Sequence, residues 1–266
     1  MKLRYITCSD PREHNKINEM VELAKLPNVE IAVQCHPSKM SAGMPRNVWF
    51  NDLLRVARNE VDMNLAIHIN MEWANSICAH GIIPEIVFDW IQVKKSNGKP
   101  VIKRIQINMP KATVETINVD NLVWKIFALH QNREFIFQYK DDNINAIRKL
   151  HRAVKQFNKG LYKSQKVNFS LLFDASGGRG LAPKEWRGPI YKERPMGYSG
   201  GISPDNVVEN LEKINNVVPQ NRAIWIDAEG KLKSPQQLSD GTYKDLFDTE
   251  KAKLYVNRAN QWQKSR

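Results

Sequence analysis

The sequence predicts an α/β fold, a single (β/α)8 TIM barrel of eight parallel strands ringed by helices. Three observations lead there. Strand-like and helix-like segments alternate from end to end of the 266 residues. The strand-like segments number eight, enough to close a parallel sheet on itself. The length matches the ~250 residues that such a barrel takes as one domain, so 1–266 is read as one unit.

The strands fall at about 3–8, 29–36, 63–70, 101–108, 133–140, 167–174, 195–199 and 222–227, each short and rich in Ile, Val, Leu, Phe or Tyr. Helical spacing follows. Ile17, Met20, Val21 and Ala24 share a face in 14–25, as do Ile144, Ile147, Leu150 and Val154 in 144–157. Val207, Leu211, Ile214 and Val218 do so in 205–218, and Ala252, Tyr255, Val256 and Ala259 in the last element. Ser203-Pro204 supplies an N-cap serine and a proline at the first helical position. An open doubly wound sheet would show a Gly-rich turn after the first strand; the turn here is Cys8-Ser9-Asp10-Pro11.

Composition narrows the class. No run approaches the ~20 apolar residues needed to span a membrane. Met1-Lys2-Leu3-Arg4-Tyr5 enters a strand directly, without the apolar core of a signal peptide. Cys8, Cys35 and Cys78 are an odd, scattered set that fits neither a disulfide framework nor a zinc site, and a reducing cytoplasm is the expected home. The net charge of +12 is dispersed beside acidic residues, with no basic run interleaved with aromatics. Nucleic acid is therefore not the expected partner, and the charge reads as a solvated surface that attracts anions.

The strand ends carry the functional signal. Gln34/His36, His68/Asn70, Gln106/Asn108, Gln138/Lys140, Asp174/Ser176 and Asp227/Glu229 each stand two apart, so both members point to one face of their strand. Aliphatic residues are expected on that face below them. A polar ring at the carboxyl rim is where enzymes of this fold hold their sites. Gly177-Gly178-Arg179-Gly180 after strand six and Gly200-Gly201, with Asn206 opening the next helix, would let backbone N–H groups approach a ligand, with Gly230 near them after strand eight.

These last segments resemble phosphoribosylanthranilate isomerase. The family's sixth-strand pattern is matched by Leu171-Leu172-Phe173-Asp174, Gly177-Gly178-Arg179-Gly180 and Trp186. Its seventh-strand pattern is matched by Gly200-Gly201-Ile202-Ser203-Pro204-Asp205-Asn206-Val207, and its first strand ends in a cysteine, as here at Cys8. The similarity covers about 169–231. The chain also resembles a group of bacterial proteins labelled isomerase-like by similarity, which share FD-x-SGGRG and WID-x-E.

The resemblance implies Amadori-type acid–base chemistry, with Cys8 as the base at the C2′ proton and Asp174 as the acid at the ribose ring oxygen. It implies a phosphorylated substrate at the glycines and no cofactor. Lys39 or Arg46 would take the place of the family's carboxylate-binding arginine. Strand eight departs, with Asp227-Ala228-Glu229-Gly230 where the family has small residues. A carboxylate ~4 Å from a phosphate costs on the order of 1–4 kcal/mol, so either Glu229 pairs with Arg179 or Lys231, or the ligand there is not a phosphate. Two alternatives stand beside this reading. One is a divalent-metal enzyme with Asp227, Glu229, His68 and Asp174 around Mg²⁺ or Mn²⁺; the other is a non-catalytic anion-binding barrel. The sequence sets neither the substrate nor the oligomeric state.

Overall fold

The computed structural model describes every residue except 110, 162–165, 175–180 and 239, together with the side chains of 111–113. Strands β1 (Lys2–Ser9), β2 (Val29–Cys35), β3 (Leu65–Ile69), β4 (Ile102–Ile107), β5 (Glu134–Tyr139), β6 (Phe169–Asp174), β7 (Met196–Ser199) and β8 (Ala223–Ala228) pair in chain order. All pairings are parallel, and β8 returns to β1, with Thr7 opposite Asp227 and Cys8 opposite Ala228. The barrel is closed, as the eight-fold alternation predicts.

Each strand has two different faces. Ile31, Val33, Ile67, Ile69, Ile105, Ile107, Phe135, Phe137 and Leu171 look outward, into one continuous core beneath the helices. The helix over Ile144–Phe157 buries Ile147, Leu150 and Val154 there; Val207–Val217 buries Val207, Leu211 and Ile214; Thr249–Lys264 buries Ala252, Tyr255, Val256 and Ala259. These are the stripes expected from periodicity. Ser203 also acts as foreseen, its hydroxyl accepting from the Asn206 N–H, although a turn at 204–206 precedes the helix proper.

The inner face differs from the expectation of stacked aliphatics. Its lower layer holds Glu30, Arg104 and Glu134. The Arg104 side chain is fully buried, donates to Glu30 over 2.7 Å and lies 3.5 Å from Glu134. Its guanidinium stacks between Tyr5 at 4.7 Å and Trp225 at 4.2 Å. Thr7 adds a hydrogen bond to Glu30 at 2.8 Å. Small residues make the room: Ala32 and Ala66 are buried beside this layer, and a Cβ on Gly197 would sit 2.0 Å from the Trp225 ring. Ile136, Leu172 and Trp225 form a small buried apolar cluster inside, with Tyr5 against it.

Two connections depart from strand-then-helix regularity. No helix follows β6 among the described residues; 181–195 run irregularly, where Pro183, Gly188, Pro189 and Pro195 interrupt helical hydrogen bonding. Trp186 fills the space instead, edge-on to Phe173 and Tyr198 and donating to Asn210 at 3.0 Å. After β8 the chain enters an antiparallel hairpin of β9 (Lys233–Gln237) and β10 (Tyr243–Phe247) before the last helix. Among the described residues no helix is long and apolar enough to cross a membrane.

Removing Arg104 leaves the Glu30 charge buried without its partner, which costs roughly 3–5 kcal/mol. Urea unfolding of Arg104→Ala should register a loss of that order, and a loss below ~1 kcal/mol would show that the ion pair does not hold the barrel interior together.

Candidate functional site

The carboxyl ends of the strands enclose a cavity of about 740 Å³, within the ~300–1,000 Å³ of pockets that take small molecules. Gln34, His36, His68, Asn70, Gln106, Asn108, Gln138, Asp174, Asp227 and Glu229 all line it, with Gly200, Gly201 and Gly230. The period-2 reading of the strand ends thus places these side chains on one surface. Lys140 instead turns to Asp142 at 3.1 Å. Asn206 stays behind the wall, accepting from the Ser203 N–H at 2.8 Å and donating to the Gly201 carbonyl at 3.0 Å. Gly200 and Gly201 have φ of 113° and 64°, so this turn requires glycine. Gly177, Gly178, Arg179 and Gly180 lie outside the described residues.

Carboxamides connect half of the ring. Gln106 donates to Asn108 at 2.8 Å, Asn108 to Asn70 at 2.8 Å, Asn70 to Gln34 at 2.6 Å, and Gln34 to Glu229 at 3.0 Å. Asn108, Asn70 and Gln34 each accept through the oxygen and donate through the NH₂, so the chain has one direction, from Gln106 to a carboxylate. Gln34 Nε2 also lies 3.3 Å from Nδ1 of His68. Burial, and then Arg104 below, pull the His68 pKa down to about 3. The imidazole is neutral, with Nδ1 facing a donor and its proton on Nε2.

The carboxylates divide into two groups. Asp10, at φ 72° just beyond β1, meets Arg12, Lys233 at 2.8 Å and Arg46 at 3.8 Å. Burial opposes its ionisation, but Arg12 and Lys233 outweigh burial and hold the carboxyl below its ordinary value. Glu229 keeps 45% of its side-chain surface open and pairs with Lys233 at 3.2 Å. Crowding by the surrounding protein, and then Asp10, still raise its pKa. Asp227 meets no cation among the described residues. The Ser9 hydroxyl donates to its Oδ1 over 2.6 Å, yet burial, reinforced by Glu229, Glu30 and Asp174, pushes it up to about 8. It therefore carries a proton at neutral pH. Gln138 reaches Asp174 at 3.4 Å.

Cys8 does not join them. It is fully buried on the outward face of β1, in the core beneath the helices, and burial drives its thiol pKa upward. Strand parity explains the miss: Thr7 and Ser9 face inward, so Cys8 between them cannot. The expected base is thus absent from the cavity. Glu229 pairs with Lys233; among the described residues Lys231 forms no ion pair with it, and Arg179 lies outside them. Lys39 and Arg46 both line the cavity, Arg46 held by Glu13 at 3.1 Å. Sequence reasoning missed Asp10, Arg12 and Lys233; Arg12 stands beside Asp10 in the chain, but Lys233, which joins them, comes from the far end of it. For a metal, no group of three or more His, Cys, Asp or Glu side chains among the described residues has the required arrangement.

No protein family and no curated protein matches the chain. Among solved structures it is similar to 3-hexulose-6-phosphate synthase from Salmonella typhimurium, at TM-score 0.45 and 12% identity over 98% of this chain and 100% of that one. It is also similar to thiamine phosphate pyrophosphorylase from Pyrococcus furiosus, at 0.43 and 10% over 99% and 96%. The YdjI aldolase from Escherichia coli K12 gives 0.43 and 10% over 98% and 90%.

An unfolded aspartate titrates near ~3.9. With Asp227 at about 8 in the folded protein, the native state holds an extra proton between those two values, so this carboxyl's contribution falls as pH rises through that window. Asp227→Asn should remove the loss. Its stability relative to wild type, from urea midpoints at pH 5, 7 and 9, should climb with pH, and a constant difference would contradict the assignment.

Proposed function

We propose that this barrel is an isomerase-like enzyme that moves a proton between neighbouring carbons of a polar or phosphorylated sugar-type molecule. The observation that carries this reading is a protonated, buried Asp227 sharing one cavity with Asp174. Two carboxyls in unlike surroundings can supply an acid and a base at the same pH.

The resemblance to phosphoribosylanthranilate isomerase supplies the reaction type, an aldose-to-ketose shift of the Amadori kind, with the roles redistributed. Asp227 gives its proton to the ring oxygen as the ring C–O bond opens. Asp174 takes the C2 proton, forming a C1–C2 double bond, and returns it to C1 as the C2 hydroxyl gives its own proton back to Asp227, leaving the ketone at C2 and both carboxyls as they began. Asp174 thereby fills the role that the buried Cys8 leaves vacant. The amides of Asn70, Gln106 and Asn108 suit sugar hydroxyls, since each can both donate and accept. Lys39 and Lys231 line the cavity without an acidic partner among the described residues, and with the Gly200-Gly201 turn they suit a phosphate. Glu229, tied to Lys233, then weighs less against that anion.

Proton abstraction can be followed without knowing the final product, by NMR of deuterium uptake at C2 of sugar phosphates in D₂O. Wild-type protein should catalyse exchange into one of them. Asp174→Asn and Asp227→Asn should each slow it by about 10²–10⁴-fold, the usual worth of a general acid or base, while Cys8→Ala leaves it unchanged. Saturable binding without any exchange would favour the non-catalytic barrel.

A further inference from the structure

The amino-terminal end of the barrel, opposite the candidate site, holds a second cavity of about 220 Å³. Arg133 and Glu134 at the start of β5, Lys166 and Asn168 just before β6, and Arg4 of β1 contribute its polar wall, with Phe127 behind them. Three cations therefore face one acid. That acid is already engaged: Glu134 pairs with Arg4 at 2.9 Å and lies 3.5 Å from Arg104.

The other two cations meet no counter-charge among the described residues. Arg133 is 8% exposed and donates from Nη1 to Asn132 over 2.6 Å, while its buried Nε and Nη2 find no partner among the described residues. Native proteins rarely leave a buried guanidinium so placed, because its lost hydration is uncompensated. Lys166 likewise meets no acid among the described residues. Asn168 is already oriented: its Oδ1 accepts from Arg194 and, at 2.9 Å, from the Phe169 N–H, which leaves its Nδ2 to donate. The volume lies below the ~300–1,000 Å³ range of pockets for whole small molecules, which selects an ion or a terminal group.

We propose that this cavity binds a small oxoanion of the phosphate class, held by Arg133, Lys166 and the Asn168 amide, with Arg4 completing a positive rim. The anion supplies the charge-assisted acceptors that Arg133 lacks. The site does not depend on the chemistry assigned to the opposite end of the barrel.

The test is a titration of the ¹⁵N-arginine-labelled protein with inorganic phosphate at low ionic strength, read at the Arg133 Nε–H resonance, which is identified by its loss in Arg133→Lys. The expected result is a saturable shift whose Kd rises about tenfold in Lys166→Gln, an exposed position that leaves the fold intact. Arg12→Gln, at the other end, should not alter that Kd. Glycerol phosphate moving the same resonance with equal affinity would assign the site to a phosphate group on a larger molecule; phosphate alone doing so would assign it to the free ion. A shift that rises linearly without saturating, or a Kd unchanged in Lys166→Gln, would overturn the proposal.

Discussion

The buried Arg104–Glu30 pair is the constraint around which the barrel interior is arranged. A fully buried guanidinium needs carboxylates beside it and flat surfaces above and below; Glu30, Glu134, Tyr5 and Trp225 provide them. Trp225 in turn requires Gly197 opposite it, and the small Ala32 and Ala66 lie on the same inner face. An interior built this way is polar from its lower layer upward, so the rim is a continuation of it and not a cap on an aliphatic plug. Burial, and then the positive charge below, keep His68 unprotonated, which fixes how that ring meets Gln34.

Above this layer, the carboxamide chain from Gln106 to Glu229 spans β4, β3, β2 and the end of β8. Its members orient one another, because reversing Asn108, Asn70 or Gln34 would set donor against donor at one end and acceptor against acceptor at the other. Its terminus is Glu229, which Lys233 ties to Asp10. The hairpin that carries Lys233 thus has a role in the site, and one wall of the cavity is held by strands, hairpin and loop together.

How much of this could be read in advance depended on range. Strand positions were legible because an apolar outer face alternates with a polar inner one, as in LAIHI and IKRIQI, and the same period located the rim residues. Parity, applied to β1, also argues against Cys8, since Ser9 faces Asp227; a motif resemblance pointed the other way. The hairpin left a weaker trace. Asp240-Gly241 is a turn signal, but Lys-Ser-Pro-Gln-Gln has no apolar alternation to announce a strand. Long-range pairs left none: nothing near Asp10 in sequence signals Lys233, and nothing near Glu30 signals Arg104.

The distribution of cations decides which carboxyl keeps its proton. Asp10 draws Arg12, Lys233 and Arg46, and Glu229 shares Lys233. These residues come from the loop after β1, the helix after β2 and the hairpin after β8, so they gather outside the ring of strands. Asp227 sits on β8 itself, where, among the described residues, its side-chain partner is the Ser9 hydroxyl and the other charges acting on it are acids. A cation brought to Asp227 would ionise it and remove the proton that the proposed chemistry needs. The cluster around Asp10 therefore does two things by position alone: it makes the mouth of the cavity hospitable to an anion, and it holds positive charge away from the one carboxyl whose neutrality matters.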